Sequence, residues 1–286
     1  MTIRQHVVQK EYLELFVLDD NIGLYAVDVK RNQFLNVFPK NICVEKKTYE
    51  IEGKEPDNVI ENYMNHNYEK EAIKLIRKIV KQQNIDLNSF TEEDLKCIYK
   101  YFYLQLWRTD SGRIMFHSVK MDLDNDFKNP RPHITEKEIR ENESVINDAN
   151  LWMHDHLEEF EKKIENSWNY YYPRINFGIS FCKDSSLITT DNPVLTYSKP
   201  GEDYPLITVM KMALSPNVLL HIEILRQDNF KQKNIGYFKN EITKEEVKMF
   251  NESVISNANY WIISGIPFSC ELKESIGNHI EYILSE

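Results

Sequence analysis

The 286-residue chain is 42% hydrophobic and 12% aromatic, which suffices for one large domain or two smaller lobes around a real core. Its formal net charge of −10 excludes an overall basic face of the kind that phosphate-backbone binding needs, though not a local basic groove. Four scattered cysteines, eight glycines and no GxGxxG or GxxxxGK[ST] run give no footing to a disulfide framework, a zinc knuckle or a common phosphate-cradling loop. No apolar run reaches the roughly 18 residues of a membrane helix. The opening residues lack the basic start, apolar block and cleavage site of a signal peptide, so a cytoplasmic protein with no membrane partner is expected.

The chain opens with RQHVVQKEYLELF (4–16), which sets His6 before an apolar pattern of Val7, Val8, Tyr12, Leu13 and Phe16. Strand-like runs follow at 22–28 and 33–38, with KRN as a hairpin turn between them. Residues 58–81 read as a helix on the spacing of Ile60, Met64, Tyr68, Ala72, Leu75, Ile76 and Ile79. TEED at Thr91 is a capping-box pattern opening a helix to about Asp110. A polar-rich helix fits 135–165. From RINFGISFC (174–182) the period drops toward two, and LITT, VLTY, LITVMKMAL and VLLHIEIL continue as strands. SPN turns between the last two. TKEE at Thr243 starts a closing helix that ends near Gly265. The expected fold is α+β. A central helical bundle carries antiparallel strands from the N- and C-terminal segments, and the two strand sets meet. It is a single domain over 1–286 or two lobes, 1–170 mostly helical and 171–286 strands plus a C-terminal helix.

Several charges fall on the wrong face. With Ile60 at 0° on a wheel of about 100° per residue, the apolar arc of the 58–81 helix runs from about 40° to 200°. Lys70, Glu71, Lys74, Arg77, Lys78 and Lys81 lie opposite, but Glu61 falls at about 100° and Glu69 at about 180°. A carboxylate there must be paired, metal-bound or protonated. The bland reading of Glu61 is a first-turn residue favoured by the helix dipole. On the next helix Lys96, Lys100 and Asp110 define a solvent strip, while Gln105, Arg108 and Thr109 share the face of Ile98, Tyr101, Phe102 and Leu104. Glu61 and Glu69 are natural partners for a buried Arg108. Such a cluster is an internal ion pair or the lining of a cleft.

Other candidates are weaker. HDH (154–156) reads as a solvated face, because residues two apart on a helix diverge. Ser185 and Ser186 lack a nucleophile-elbow setting. His221 is an outward strand residue or a satisfied core one, and His66 reads as a surface histidine rather than a metal ligand with Glu69. Asp191, before Asn192 and Pro193, is a turn aspartate or a site residue on a strand-end loop.

Taken together these residues resemble the prokaryotic domain of unknown function 4238 family. The resemblance rests on Arg4, Gln5, His6, Tyr12, Leu13 and Phe16; Tyr49; Glu61 and Glu69; Gln105, Arg108 and Thr109; Trp168; Thr190, Asp191 and Pro193; and Leu214, Ser215 and Pro216. Gln9 stands where the family often has proline. The resemblance implies a role in antiphage defence and leaves the chemistry open.

One reading of the cluster is a metal-dependent phosphodiesterase or nuclease acting on nucleic acid or nucleotide. His6, Arg108, Asp191 and Gln105 would be catalytic, and Glu61, Glu69 and Asp191 would hold Mg²⁺ or Mn²⁺. On that reading His6→Ala and Asp191→Ala remove activity with stability kept within about 1 kcal/mol. The other reading is a sensor or binding module for a small anionic ligand or phage protein.

Overall fold

The computed structural model describes residues 4–18, 23–46, 48–82, 89–118, 136–200, 206–225 and 236–285. The first segment holds β1 (Arg4–His6), α1 (Lys10–Leu13), β2 (Leu24–Asp28), β3 (Gln33–Val37) and β4 (Val44–Lys46). The middle is helical: α2 (Val59–Met64), α3 (Lys70–Lys81), α4 (Glu92–Arg108), α5 (Asp110–Ser118), α6 (Glu136–Glu141), α7 (Glu143–Asp155) and α8 (Leu157–Tyr171). The last part holds β5 (Ile175–Phe181), β6 (Thr189–Thr190), β7 (Leu195–Pro200), β8 (Leu206–Ser215), β9 (Val218–Leu225) and β10 (Gly236–Glu241). It closes with α9 (Lys244–Ser256), β11 (Trp261–Ser264) and α10 (Cys270–Ser285). The class is α+β. Among the described residues no helix is long and apolar enough to cross a membrane.

Local chemistry accounts for the element starts. Both capping boxes form: Thr91 with Asp94 opens α4, and Thr243 with Glu246 opens α9. In each, hydroxyl and carboxylate satisfy otherwise orphaned N–H groups of the first turn. The hairpin of β2 and β3 runs from Leu24↔Val37 to Asp28↔Gln33. Asn32 takes φ of 49° at its turn. Gly23 has φ of 78°, and a Cβ there would lie 2.5 Å from the Val37 carbonyl oxygen, so only glycine fits.

The ends of the chain meet in a four-stranded sheet of order β3-β2-β11-β6, antiparallel throughout. A five-stranded sheet of order β10-β5-β9-β8-β7 lies alongside it in sequence. It departs from the expected antiparallel pairing, because β10 runs parallel to β5. Alternation assigns faces to a strand but carries no information on its direction. One buried cluster runs through both halves of the chain, from Val8 to Ile280. Trp168 on α8 joins helices to sheet, with ring centroids 5.3 Å from Tyr99 and 6.4 Å from Phe177.

Four expectations need correction. The 58–81 helix is interrupted by a π-helical turn at Asn65–Glu69. The 135–165 helix is three helices, broken at Asn142 and His156, and residue 135 lies outside the described residues. The closing helix stops at Ser256, and β11 and α10 follow; four residues of strand are too few to show a period. Lys96 and Lys100 are not a solvent strip. Their side chains are only 18% and 13% exposed and pair with Glu161 and Glu165 of α8. Long lysine stems lie along apolar surface while their heads find carboxylates, so a charge on a helical wheel does not by itself mark solvent.

Candidate functional site

Glu61 and Glu69 are eight residues apart, which on an uninterrupted helix separates them by about 80°. The π turn between them absorbs one extra residue and so offsets the two helical faces by roughly 100°. The separation falls to about 20°, and both carboxyl groups face α4. There the buried Arg108 places Nη2 3.2 Å from Glu61 Oε2 and 3.1 Å from Glu69 Oε1. Its Nη1 donates to the His6 carbonyl at 3.0 Å, and its Nε approaches Met64 Sδ at 3.3 Å. The Tyr49 ring lies 5.6 Å from the guanidinium, and the Tyr49 hydroxyl donates to the same His6 carbonyl at 3.1 Å.

The opening segment is therefore part of the core. Gln5, buried beside His6, accepts from the Tyr49 backbone N–H at 2.9 Å and donates to Glu50 at 2.6 Å. Gln9 accepts from the Tyr101 hydroxyl at 2.9 Å. The contact of Arg108 with His6 is to the main-chain carbonyl.

Burial opposes the Arg108 charge, and Glu69 ahead of the other neighbours more than offsets it, so the guanidinium is held charged. One cation faces two carboxyl groups. Burial pushes Glu69 up to about 7, against the pull of Arg108. A raised folded-state value means that this stabilisation is complete below the ordinary 4.5 and is lost as pH rises through about 7. Glu69→Gln fixes the neutral form. In urea titrations it should gain on the parent between pH 4.5 and 7. Parallel stability curves for the two chains would show that Glu69 is not the titrating group.

The other expected site residues are placed differently. Asp191 does not join Arg108. Its carboxylate is buried and accepts backbone N–H bonds from Asn259 at 3.2 Å, Tyr260 at 3.0 Å and Trp261 at 2.8 Å. Burial raises it to about 6 in spite of those donors. The three-carboxylate metal site expected of Glu61, Glu69 and Asp191 is therefore not assembled. Among the described residues no three His, Cys, Asp or Glu side chains are grouped to hold a metal ion. The physical reason is prior engagement: two carboxyl groups face Arg108 and the third binds backbone. His66 is exposed and bonds the Asn62 carbonyl at 2.7 Å, away from buried Glu69. His154 of the HDH run lies 3.0 Å from Asp57 and 2.8 Å from Asp155 on the surface.

A second buried arginine escaped the sequence reading. Arg113 on α5 donates to the Thr48 carbonyl at 2.6 Å and to Asn150 at 3.3 Å, and it pairs with Asp110. Its guanidinium lies 5.2 Å from the Tyr49 ring. The apolar neighbours Ile114 and Phe116 carry the signal, but the helix expected from Thr91 ends at about Asp110.

Gln105 is the one expected site residue on a cavity wall. It is fully buried, and neither its Oε1 nor its Nε2 has a hydrogen-bond partner. It lines a cavity of about 650 Å³ between the α4–α5 corner, the five-stranded sheet and α9. The corner is tight: Gly112 donates to Thr109 Oγ1 at 3.0 Å, and a Cβ at Gly112 would lie 1.7 Å from the Leu106 carbonyl oxygen. Buried Gln105, Thr109, Ser180, Asn192 and His221 form the cavity floor, and exposed Tyr197, Asn240 and Glu246 form its rim. On the floor Ser180 Oγ and His221 Nε2 are 2.8 Å apart, so His221 is an inward residue with a hydroxyl partner.

Comparison with curated proteins returns no match, and neither does comparison with solved structures. The family described as "Protein of unknown function (DUF4238)" matches residues 4–266, nearly the whole chain, and the chain belongs to that family.

Proposed function

We propose that the protein is a binding module that takes a small polar molecule into the cavity beside Gln105, serving as a sensor in the antiphage defence that the family resemblance implies. The observation that carries this is Gln105: a buried carboxamide with no protein partner on the wall of a ligand-sized cavity. Leaving such a group unpaired costs roughly 1–3 kcal/mol, and a bound molecule would recover it. Ligand cavities of about 300–1,000 Å³ with a few convergent polar groups on apolar walls are the usual form of such sites. The metal-dependent phosphodiesterase reading has less support, because its three carboxylates are engaged elsewhere.

Gln105→Leu tests the proposal. It replaces the unpaired amide with an apolar side chain of similar size. The variant should be as stable as the parent or more stable by about 1–3 kcal/mol, and it should lose the thermal shift that the parent shows with a panel of nucleotides, amino acids and sugar phosphates. Phage plating on cells expressing the variant should show loss of protection by a well-folded chain. A variant destabilised by more than about 1 kcal/mol would show that the amide has partners, and the proposal would lose its basis. Hydrolysis of RNA, DNA or nucleotides with Mg²⁺ or Mn²⁺ by the parent that is lost in Gln105→Leu would instead restore the phosphodiesterase.

A further inference from the structure

We infer that the ligand is a nucleoside phosphate, with its phosphate on a polar strip across the five-stranded sheet and its base edge read by Gln105. This rests on the reading that the cavity binds a small molecule, and it names the class.

The strip follows from register. Asn240 on β10 lies opposite Ser180 on β5, and His221 on β9 lies opposite Lys211 on β8. His221 also reaches diagonally to Ser180, at 2.8 Å. Paired positions share a face of a sheet, so these four side chains line up across four adjacent strands, over roughly 14 Å at the usual strand spacing. All four line the cavity. The line combines a carboxamide, a hydroxyl bonded to an imidazole, and an ammonium; the carboxamide and the ammonium can donate directly to phosphate oxygens.

The lining carries one charge of each sign, against the net −10 of the chain. Among the described lining residues Lys211 is the lone lysine or arginine and Glu246 the lone carboxylate. Glu246 is spent on the cap of α9, accepting from the Thr243 N–H at 2.8 Å and the Thr243 hydroxyl at 2.9 Å. Lys211 sits over the Tyr197 ring at 5.4 Å, and its ammonium carries three donors that can turn to a ligand oxygen.

Gln105 selects the other end of the ligand. A carboxamide with both its donor and its acceptor unmatched is complemented by a planar edge offering one of each, as the adenine edge does to glutamine. A carboxylate, which only accepts, leaves half of it unpaired. One molecule that joins a donor–acceptor edge to an anion within about 650 Å³ is a mononucleotide.

Calorimetric titration of the full chain with AMP, GMP, CMP, UMP, adenosine and inorganic phosphate is the test. At least one nucleotide should bind, and adenosine and phosphate alone should bind at least roughly tenfold more weakly. Lys211→Gln should weaken the nucleotide and leave adenosine unchanged. Gln105→Leu should weaken nucleotide and adenosine together and leave phosphate unchanged. Lys211 is partly exposed, so its variant should fold, which circular dichroism checks. If no nucleotide binds while another molecule of the panel gives a Gln105-dependent thermal shift, the class is wrong and the cavity reading stands. If nothing in either set binds, both fall.

Discussion

Arg108→Ala should destabilise the protein by about 3–5 kcal/mol, read as a shift in the urea midpoint at unchanged slope. The guanidinium has 1% side-chain exposure and holds three separate elements at one point. It faces Glu61 of α2 and Glu69 at the end of the π turn, and it donates to the His6 carbonyl of β1. Its removal leaves Glu69, 4% exposed in its side chain, without this cation, and takes one donor from the His6 carbonyl, which keeps the Tyr49 hydroxyl. An uncompensated buried carboxyl group then has to take up a proton or draw in water. The double variant Arg108→Met with Glu69→Leu should recover part of the loss, because it removes both charges and refills the space with apolar groups. If Arg108→Ala stays within about 1 kcal/mol of the parent, the cluster does not tether the fold.

Asp191→Ala should also be severe, at roughly 3 kcal/mol or more, because it strips the acceptor from three backbone N–H groups at once. This reverses the expectation that Asp191 could be truncated with stability kept. The donors belong to Asn259, Tyr260 and Trp261, which lead into β11. β11 lies between β2 and β6, so it is the strand through which the two ends of the chain meet. Hydrogen exchange should therefore quicken first in 259–264, with the register of β2 and β3 loosened next. Equal protection of those amides in Asp191→Ala and the parent would show that the carboxylate does not pin the strand. Asp191→Asn should recover only part, because its amide turns one acceptor into a donor aimed at donors.

The two variants show where sequence reasoning reached and where it stopped. Arg108 with Glu61 and Glu69 was legible because a charge inside an apolar arc is a local anomaly, visible on a wheel. Asp191 was legible as unusual, but whether it served a turn, a site or a strand depended on residues about seventy positions away. Gln105 shares the apolar face of α4, yet nothing nearby in the sequence reveals that its amide lacks a partner. His221 stayed ambiguous for the same reason, since alternation along VLLHIEIL says which residues share a face and not which face is covered.

The sequence by itself determined the class, the helical character of the middle, strands at both ends, both capping boxes and the need to pair Arg108. All of these follow from interactions within a few residues: side-chain period, first-turn hydrogen bonding and the cost of a charge on an apolar face. The tertiary structure alone decided the π turn that aligns Glu61 with Glu69, the parallel pairing of β10 with β5, the pinning of β11 by Asp191 and the cavity between α4, the sheet and α9. Those features depend on segments far apart in the chain, as when Arg108 meets His6 across 102 positions. Once such segments pack, each buried polar group takes whichever partner the neighbouring element supplies, and hydrophobic period records that a face is buried without recording against what.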